Sequence, residues 1–392
     1  MNNKEYYFTK EFISEIMNAR FKGEVVSIEA VKRFEIDNSA SILVTLTSAS
    51  SDEFIGHYGI EVDYSIDQTK FKKKMVMKVK PHGRAISDML AGLSNLCSEE
   101  LYKNYHPVKE ITGFQNTHDK EINIYKTYNF DFFPEIFGYY VNEKNNLYII
   151  LMEYFENPIM LNSVMDTQSW DYEKINLGIS AIIKWTEVNY NNTKWYTELY
   201  NDSRDINQIE KLIPCWHSLL NNASINFPEL YNSDLCNKLK FGITNFIQLY
   251  SKTKHLPKSI IHNDFNPRNA FFKKNEGELR ICIYDWELAF EYFPVYDLIE
   301  FLSFTSSTIN EKQIDDFFNN LYHSITEKLD DSITIHEYYN TALLSAYDFG
   351  LHRLGMYMMA HSVSNYPFIP HLVKNYEKIL NYILVKSQEY NA

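Results

Sequence analysis

The sequence predicts an α+β chain in two parts. Residues 1–152 form a small N-terminal β-sheet lobe with a helix, and residues 153–392 form a large, mainly helical C-terminal lobe. Three observations carry this. Runs rich in β-branched residues, separated by polar turns, crowd the first 152 residues. Apolar residues at helical spacing dominate after residue 153. A short strand-like pair interrupts that helical half between residues 258 and 289.

In chain order, Val25–Val31 and Ser41–Thr47 predict two strands, with Glu35–Ser39 between them. A third strand, Lys74–Lys80, ends at Pro81, which has no N–H for a sheet ladder. Ile86, Met89, Leu90, Leu93 and Leu101 fall near helical spacing and predict one helix from Ile86 to Tyr105. A second helix contains Lys120–Tyr125. Ile136–Val141 and Leu147–Met152 flank the polar stretch Asn142–Asn146 and predict a hairpin. Helices follow at 172–190, 205–221, 233–251, 311–328, 333–363 and 367–388. Ser259–Ile261 and Leu279–Tyr284 predict short strands around a polar loop.

Composition narrows the function classes. Acidic residues outnumber basic ones by 51 to 38, a net charge of −13. That field repels nucleic acid and anionic membranes and leans toward a cationic substrate, although solubility alone accounts for the same balance. Glycine is scarce, at 12 of 392 residues. No G-x-G-x-x-G and no G-x-x-x-x-G-K-[ST] occurs, so the two familiar glycine-rich phosphate loops are excluded. Cys97, Cys215, Cys236 and Cys282 show no C-x-x-C pair and no zinc spacing, as expected of reduced thiols in a cytoplasmic protein. The N-terminal residues have no apolar h-region, so no signal peptide is expected. The apolar run Leu147–Met152 is too short to span a bilayer.

The chemistry concentrates in Ile261-His262-Asn263-Asp264-Phe265-Asn266-Pro267-Arg268-Asn269, a polar cluster between apolar flanks. A second acidic site follows at Asp285-Trp286-Glu287. A hairpin between them can bring Asp264, Asn269 and Asp285 to one end. Two carboxylates and an amide are hard-oxygen ligands, suited to Mg²⁺ and unsuited to zinc.

His262-x-Asp264-x-x-x-x-Asn269 followed by Ile283-x-Asp285 resembles the catalytic loop and metal segment of the aminoglycoside phosphotransferase/choline kinase branch of the protein-kinase-like fold. Trp286-Glu287 stands where ordinary protein kinases carry Phe-Gly. The resemblance implies a bilobal kinase-like fold that uses ATP and Mg²⁺. It implies Asp264 as catalytic base or orienter, His262 as a brace for the loop, and Asn269 and Asp285 as metal ligands. It also asks for a strand lysine paired to a helical carboxylate. Lys78 fits, with Lys80 on the same face as its rival, and Glu121 in Lys120-Glu121-Ile122-Asn123-Ile124-Tyr125 is the expected partner. Leu151–Glu156 resembles the hinge, where backbone groups around Glu153 to Phe155 would hold the adenine. Ser39 and Ser41 stand as phosphate contacts or as an ordinary polar turn. Arg268 contacts phosphate or substrate, or pairs with a neighbouring carboxylate. Asp297 is expected to brace the catalytic loop, and Arg353 either lines an acceptor pocket or packs.

The function so implied is ATP- and Mg²⁺-dependent phosphoryl transfer to an alcohol hydroxyl of a small molecule: an aminoglycoside, an amino alcohol or a sugar. Two alternatives remain: transfer to Ser or Thr hydroxyls of a peptide in natural-product biosynthesis, and non-catalytic nucleotide binding. Neither nucleic acid nor membrane is an expected partner.

Overall fold

The structure, a computed structural model, describes residues 4–36, 54–200, 202–329 and 332–390. Its contacts group into two compact units. The smaller takes in residues up to 86, 115–159 and 282–287; the larger holds 87–114, 160–281 and everything from 288 onward. This grouping differs from one cut after residue 152, because the chain passes between the two units several times. The mixed architecture is the expected one: an antiparallel sheet in the N-terminal part and a larger helical remainder.

The first stretch gives helix α1 (Lys10–Arg20) and strands β1 (Val26–Phe34), β2 (Gly56–Ile66) and β3 (Thr69–Lys80). Helices α2 (Gly83–Cys97), α3 (Glu99–Tyr105) and α4 (Thr117–Thr127) follow, then the hairpin β4 (Ile136–Asn142) and β5 (Leu147–Glu153). The sheet of the smaller unit runs β1-β2-β3-β5-β4, every pair antiparallel. Strand alternation sorts β3 into two faces. Met75, Met77 and Val79 enter the core beside Phe12, Ile13, Ile16 and Met17 of α1, while Lys78 and Lys80 take the other face. A Cβ at Gly138 of β4 would collide with Ile16, so glycine there lets α1 lie close on the sheet.

Two expectations change here. The strand expected at Ser41–Thr47 lies outside the described residues, and β2 is a strand beyond those the sequence predicts. The single helix expected from Ile86 to Tyr105 is two, because the Ser98 side chain accepts from the Leu101 N–H and starts α3 afresh.

The larger unit holds α5 (Tyr172–Asn189), α6 (Lys194–Tyr200), α7 (Ile206–Asn226) and α8 (Ser233–Thr253). Next come β6 (Ser259–Ile261), β7 (Ala270–Asn275), β8 (Glu278–Ile283), which continues into the smaller unit, and β9 (Phe290–Tyr292). Helices α9 (Val295–Thr305), α10 (Glu311–Lys328), α11 (Ile335–Asp348), α12 (Leu354–Val363) and α13 (Ile369–Glu389) complete it. β6 pairs with β9 and β7 with β8, so the two strands expected around the polar loop do not pair with each other. The helix expected over 333–363 is broken by a π-helical turn at Phe349–Arg353. There a Cβ on Gly350 would strike the Tyr376 ring and hydroxyl. Among the described residues, no helix is long and apolar enough to cross a membrane.

Candidate active site

The smaller unit gathers five charged side chains from three distant segments. Lys78 Nζ lies 2.7 Å from Glu121 Oε2 and 2.5 Å from Asp285 Oδ1. Lys80 Nζ lies 2.7 Å from the same Glu121 oxygen and 2.6 Å from Glu287 Oε2. Period-2 alternation on β3 puts both amines on one face, and α4 presents Glu121, fully buried, to them. A lysine in such a position stays charged only with carboxylates beside it. For Lys78, burial pulls the pKa down, but Asp285 and Glu121 outweigh it and the net shift is upward. Burial likewise pushes Glu121 up, and the two lysines bring it below its ordinary value. Glu287 goes the other way, raised by burial and by the Asp285 charge.

The segment bearing Asp285 is pinned on both sides. The Ile283 N–H donates to Phe132 O at 2.7 Å, the Tyr284 ring lies 5.3 Å from Phe155, and Trp286 meets Phe133 edge-on at 5.4 Å. Asp285 sits at φ +66°, a left-handed conformation uncommon outside glycine and one that collects at functional sites.

The larger unit holds the motif loop between β6 and β7. Helix α9 grips it through buried acids. Asp297 accepts the backbone N–H groups of His262 (2.7 Å) and Asn263 (2.9 Å), and Glu300 accepts that of Phe265 (3.1 Å). Burial pushes Asp297 up to about 7, against the lowering pull of its two N–H donors. Asn263 takes φ +59°, where Asn is tolerated, and its amide donates to Leu288 O at 3.0 Å.

Asp264 is densely held. Its Oδ1 receives Asn266 Nδ2 (2.9 Å), Tyr357 Oη (2.8 Å) and Arg268 Nη2 (3.3 Å), and Arg353 Nη2 forms an ion pair with it at 3.0 Å. Its Oδ2 receives Asn269 Nδ2 at 2.7 Å. Burial alone would raise this carboxyl; the guanidiniums of Arg353 and Arg268 override burial and bring it to about 2. The Asn269 amide nitrogen also donates to the Asp264 carbonyl at 2.9 Å. With both amide hydrogens directed at Asp264, the Asn269 side chain has its carbonyl oxygen left as acceptor.

The structure thus groups Lys78, Glu121 and Asp285 in one unit, and His262, Asp264, Arg268 and Asn269 in the other. Lys78 and Lys80 both reach the expected partner, Glu121. His262 is buried, and its backbone N–H ties the loop to Asp297. Arg268 pairs with Asp264 at 3.3 Å, and Tyr357 Oη lies 2.6 Å from its Nη2. At the end of β5, the N–H of Glu153 donates to Glu135 O (2.9 Å) and that of Tyr154 to Lys74 O (3.1 Å). Those two donors are therefore engaged within the protein, which narrows the backbone groups on offer near Phe155. Ser39 and Ser41 lie outside the described residues.

Three residues at the site, Glu287, Glu300 and Tyr357, carry no role in the sequence analysis. Glu300 follows Asp297 by one helical turn and Tyr357 follows Arg353 by four residues, the spacings that share a helix face. Glu287, where protein kinases carry glycine, pairs with Lys80, and Arg353, expected to line an acceptor pocket or to pack, pairs with Asp264.

The profile of the family described as "Phosphotransferase enzyme family" matches residues 231–328, a stretch that contains Asp264, Asn269 and Asp285. The resemblance read in the motif is borne out there. No curated protein gives a significant match. Solved structures similar to this chain include a Plasmodium vivax ethanolamine kinase, at 12% identity over 98% of this chain and 91% of that one, with a TM-score of 0.48. A thermostable mutant of the aminoglycoside phosphotransferase APH(4)-Ia without ligands is similar at 8% identity over 95% of this chain and 98% of that one, TM-score 0.38. A thermostable mutant of the same enzyme in a ternary complex with ADP and hygromycin B is similar at 7% identity over 91% and 95%, TM-score 0.35.

Proposed function

We propose that this chain is an ATP-dependent phosphotransferase that moves the γ-phosphoryl group to the hydroxyl of a small molecule. The observation that carries this reading is the contact of Lys78 with Glu121 and Asp285, three residues brought together across 43 and 207 positions of sequence. The family match over the loop residues supports it from a separate direction.

In this reading Lys78, held protonated, offsets negative charge on the ATP phosphates, and Glu121 fixes the amine in place. Asp264 accepts a hydrogen bond from the acceptor hydroxyl and orients its oxygen for in-line attack on the γ-phosphorus. The donor set suits magnesium: Asp285 offers a carboxylate and Asn269 an amide carbonyl, both hard oxygens, with no cysteine or histidine among them. When bound, the ion neutralises phosphate charge. Two guanidiniums at Asp264 weigh against a cationic group lying at that carboxylate, so the acidic balance of the chain is a poor guide to the acceptor. All four cysteines are free, and we place the protein's work in the cytoplasm, where thiols persist.

The test is transfer of labelled γ-phosphate from Mg-ATP to a panel of amino alcohols, aminoglycosides, sugars and Ser-containing peptides. The wild type is expected to label a small-molecule alcohol, and Asp264→Ala to label none while still binding nucleotide. Equal transfer by Asp264→Ala defeats the mechanism. Nucleotide binding without transfer to any acceptor favours the non-catalytic alternative, and labelling of peptides alone favours the peptide kinase.

A further inference from the structure

The donors around Asp264 are distributed unequally. Three hydrogen-bond donors, from Asn266, Arg268 and Tyr357, converge on Oδ1 and the Arg353 guanidinium forms an ion pair with it, whereas Oδ2 receives only Asn269 among the described residues. A carboxylate has about four lone-pair directions over its two oxygens. Oδ1 is therefore saturated, and Oδ2 retains a free one beside Asn269. We propose that Arg353, with Tyr357 and Arg268, is a positioning residue that ties down Oδ1 so that Oδ2 alone takes the acceptor hydroxyl. This rests on the phosphotransferase reading above.

The geometry of Arg353 supports the assignment. It is 6% exposed and closes the π-helical turn Phe349–Arg353, an irregularity that often marks functional sites. Its Nε is buried and has no hydrogen-bond partner. Its Nη2 nonetheless reaches Asp264. Aromatic rings box both guanidiniums. Arg353 lies 5.4 Å from the Phe114 ring centroid and 5.6 Å from that of Tyr357. Arg268 lies 5.2 Å from Tyr357, 5.7 Å from Phe368 and 6.0 Å from Phe304. Tyr357 joins the two arginines: its Oη donates to Asp264 and accepts from Arg268. The result is a clamp of planar, boxed guanidiniums on one carboxylate oxygen, a task for which a flexible ammonium is poorly suited.

In the transfer step the acceptor oxygen forms a bond to the γ-phosphorus as the bond from that phosphorus to the β–γ bridging oxygen breaks. The acceptor's proton passes to an oxygen of the transferred phosphoryl group. Asp264 sets the direction of that hydroxyl through Oδ2 and is unchanged at the end.

The experiment compares wild type, Arg353→Met, Arg353→Lys and Tyr357→Phe, each checked for folding by circular dichroism. Crystal structures are read for the Asp264 side chain, and Mg-ATP turnover is measured with an acceptor found in the panel, or with water if none is found. Arg353→Met is expected to show Asp264 rotated or in two conformers. Its kcat is expected to fall about 100-fold, the scale of a misplaced reacting group, with KM for ATP unchanged. Arg353→Lys restores the charge but not the fork and is expected to recover only part of kcat. An Asp264 carboxylate unmoved in Arg353→Met overturns the proposal whether or not the protein is active. So does an equal loss in kcat and ATP affinity. If the wild type turns over no ATP at all, the phosphotransferase reading fails, while the crystal structures still decide whether Arg353 holds Oδ1. Should Arg353→Met not fold, Tyr357→Phe removes one Oδ1 donor, and an unmoved carboxylate with unchanged kcat in that variant overturns the clamp.

Discussion

Lys78 and Lys80 share the Glu121 carboxylate, and their depth separates what each contributes. The Lys80 side chain is 1% exposed and its other partner is Glu287; that of Lys78 is 11% exposed and meets the more open Asp285. Lys80→Met leaves Glu287 buried without its lysine, an imbalance that costs about 3–5 kcal/mol. Urea denaturation is expected to show that loss, and a midpoint equal to the wild type counts against a structural Lys80. Lys78→Met keeps Glu121 paired to Lys80 and is expected to lose phosphoryl transfer more than stability. His57 of β2 stands opposite Lys78 in the sheet register. Burial first, and then the Lys78 charge, lowers its pKa from 6.5 to about 4. Between those values the unfolded chain holds a proton that the folded chain does not. Stability from this group is therefore full above its unfolded value and is lost as pH falls through its folded one. His57→Gln is expected to flatten the plot of Tm against pH over that window, and parallel curves for the two proteins refute the assignment.

At the scale of elements, the loop depends on α9 and the clamp on the turn before α12. Asp297→Ala strips two backbone N–H groups of their acceptor. Leaving buried donors unsatisfied costs about 1–3 kcal/mol each, and hydrogen exchange is expected to quicken at His262 and Asn263 first. Gly350→Ala drives a methyl group into Tyr376 of α13, an overpacking expected to cost about 1–3 kcal/mol, read as a lowered Tm. The sequence showed some elements clearly and hid others for physical reasons. Helices α5, α7, α8 and α10 each begin at an Asp or Asn cap, at Asp171, Asp205, Asn232 and Asn310, and show one apolar face, so periodicity and cap agree. Helix α9 was not foreseen because every one of its residues is buried, which leaves no polar face for a period to reveal. The strand β2 was not foreseen because Gly56, Gly59, Glu61 and Asp63, residue types depleted in strands, interrupt its apolar pattern. Of the candidate site, Lys78, Glu121, Asp264, Asn269 and Asp285 were legible because their spacing matches a motif. Arg353 and Tyr357 were not, since an arginine or a tyrosine inside an apolar helical run carries no mark of the distant carboxylate it serves.

At the scale of the whole molecule, scarce glycine excludes glycine-built phosphate loops while leaving a lysine and carboxylate site intact. The nucleotide is expected to stabilise the folded chain accordingly. At 100 times its Kd a ligand adds about 2.7 kcal/mol, read as a rise in Tm with Mg-ATP in wild type and in Asp264→Ala alike. A rise absent from both counts against nucleotide binding. The smaller unit is also assembled from three separate stretches of chain, the last of them 282–287. Asp285 and Glu287 each lie 207 residues beyond the lysine they pair with. On a ribosome adding about 5–20 residues per second, Lys78 and Lys80 wait roughly 10–40 seconds for those carboxylates to be made. Until then Glu121 is the only member of the cluster present to balance two buried ammonium groups. The nascent smaller unit is thus left electrically incomplete for most of its synthesis, and a chain that terminates before residue 285 carries that imbalance permanently.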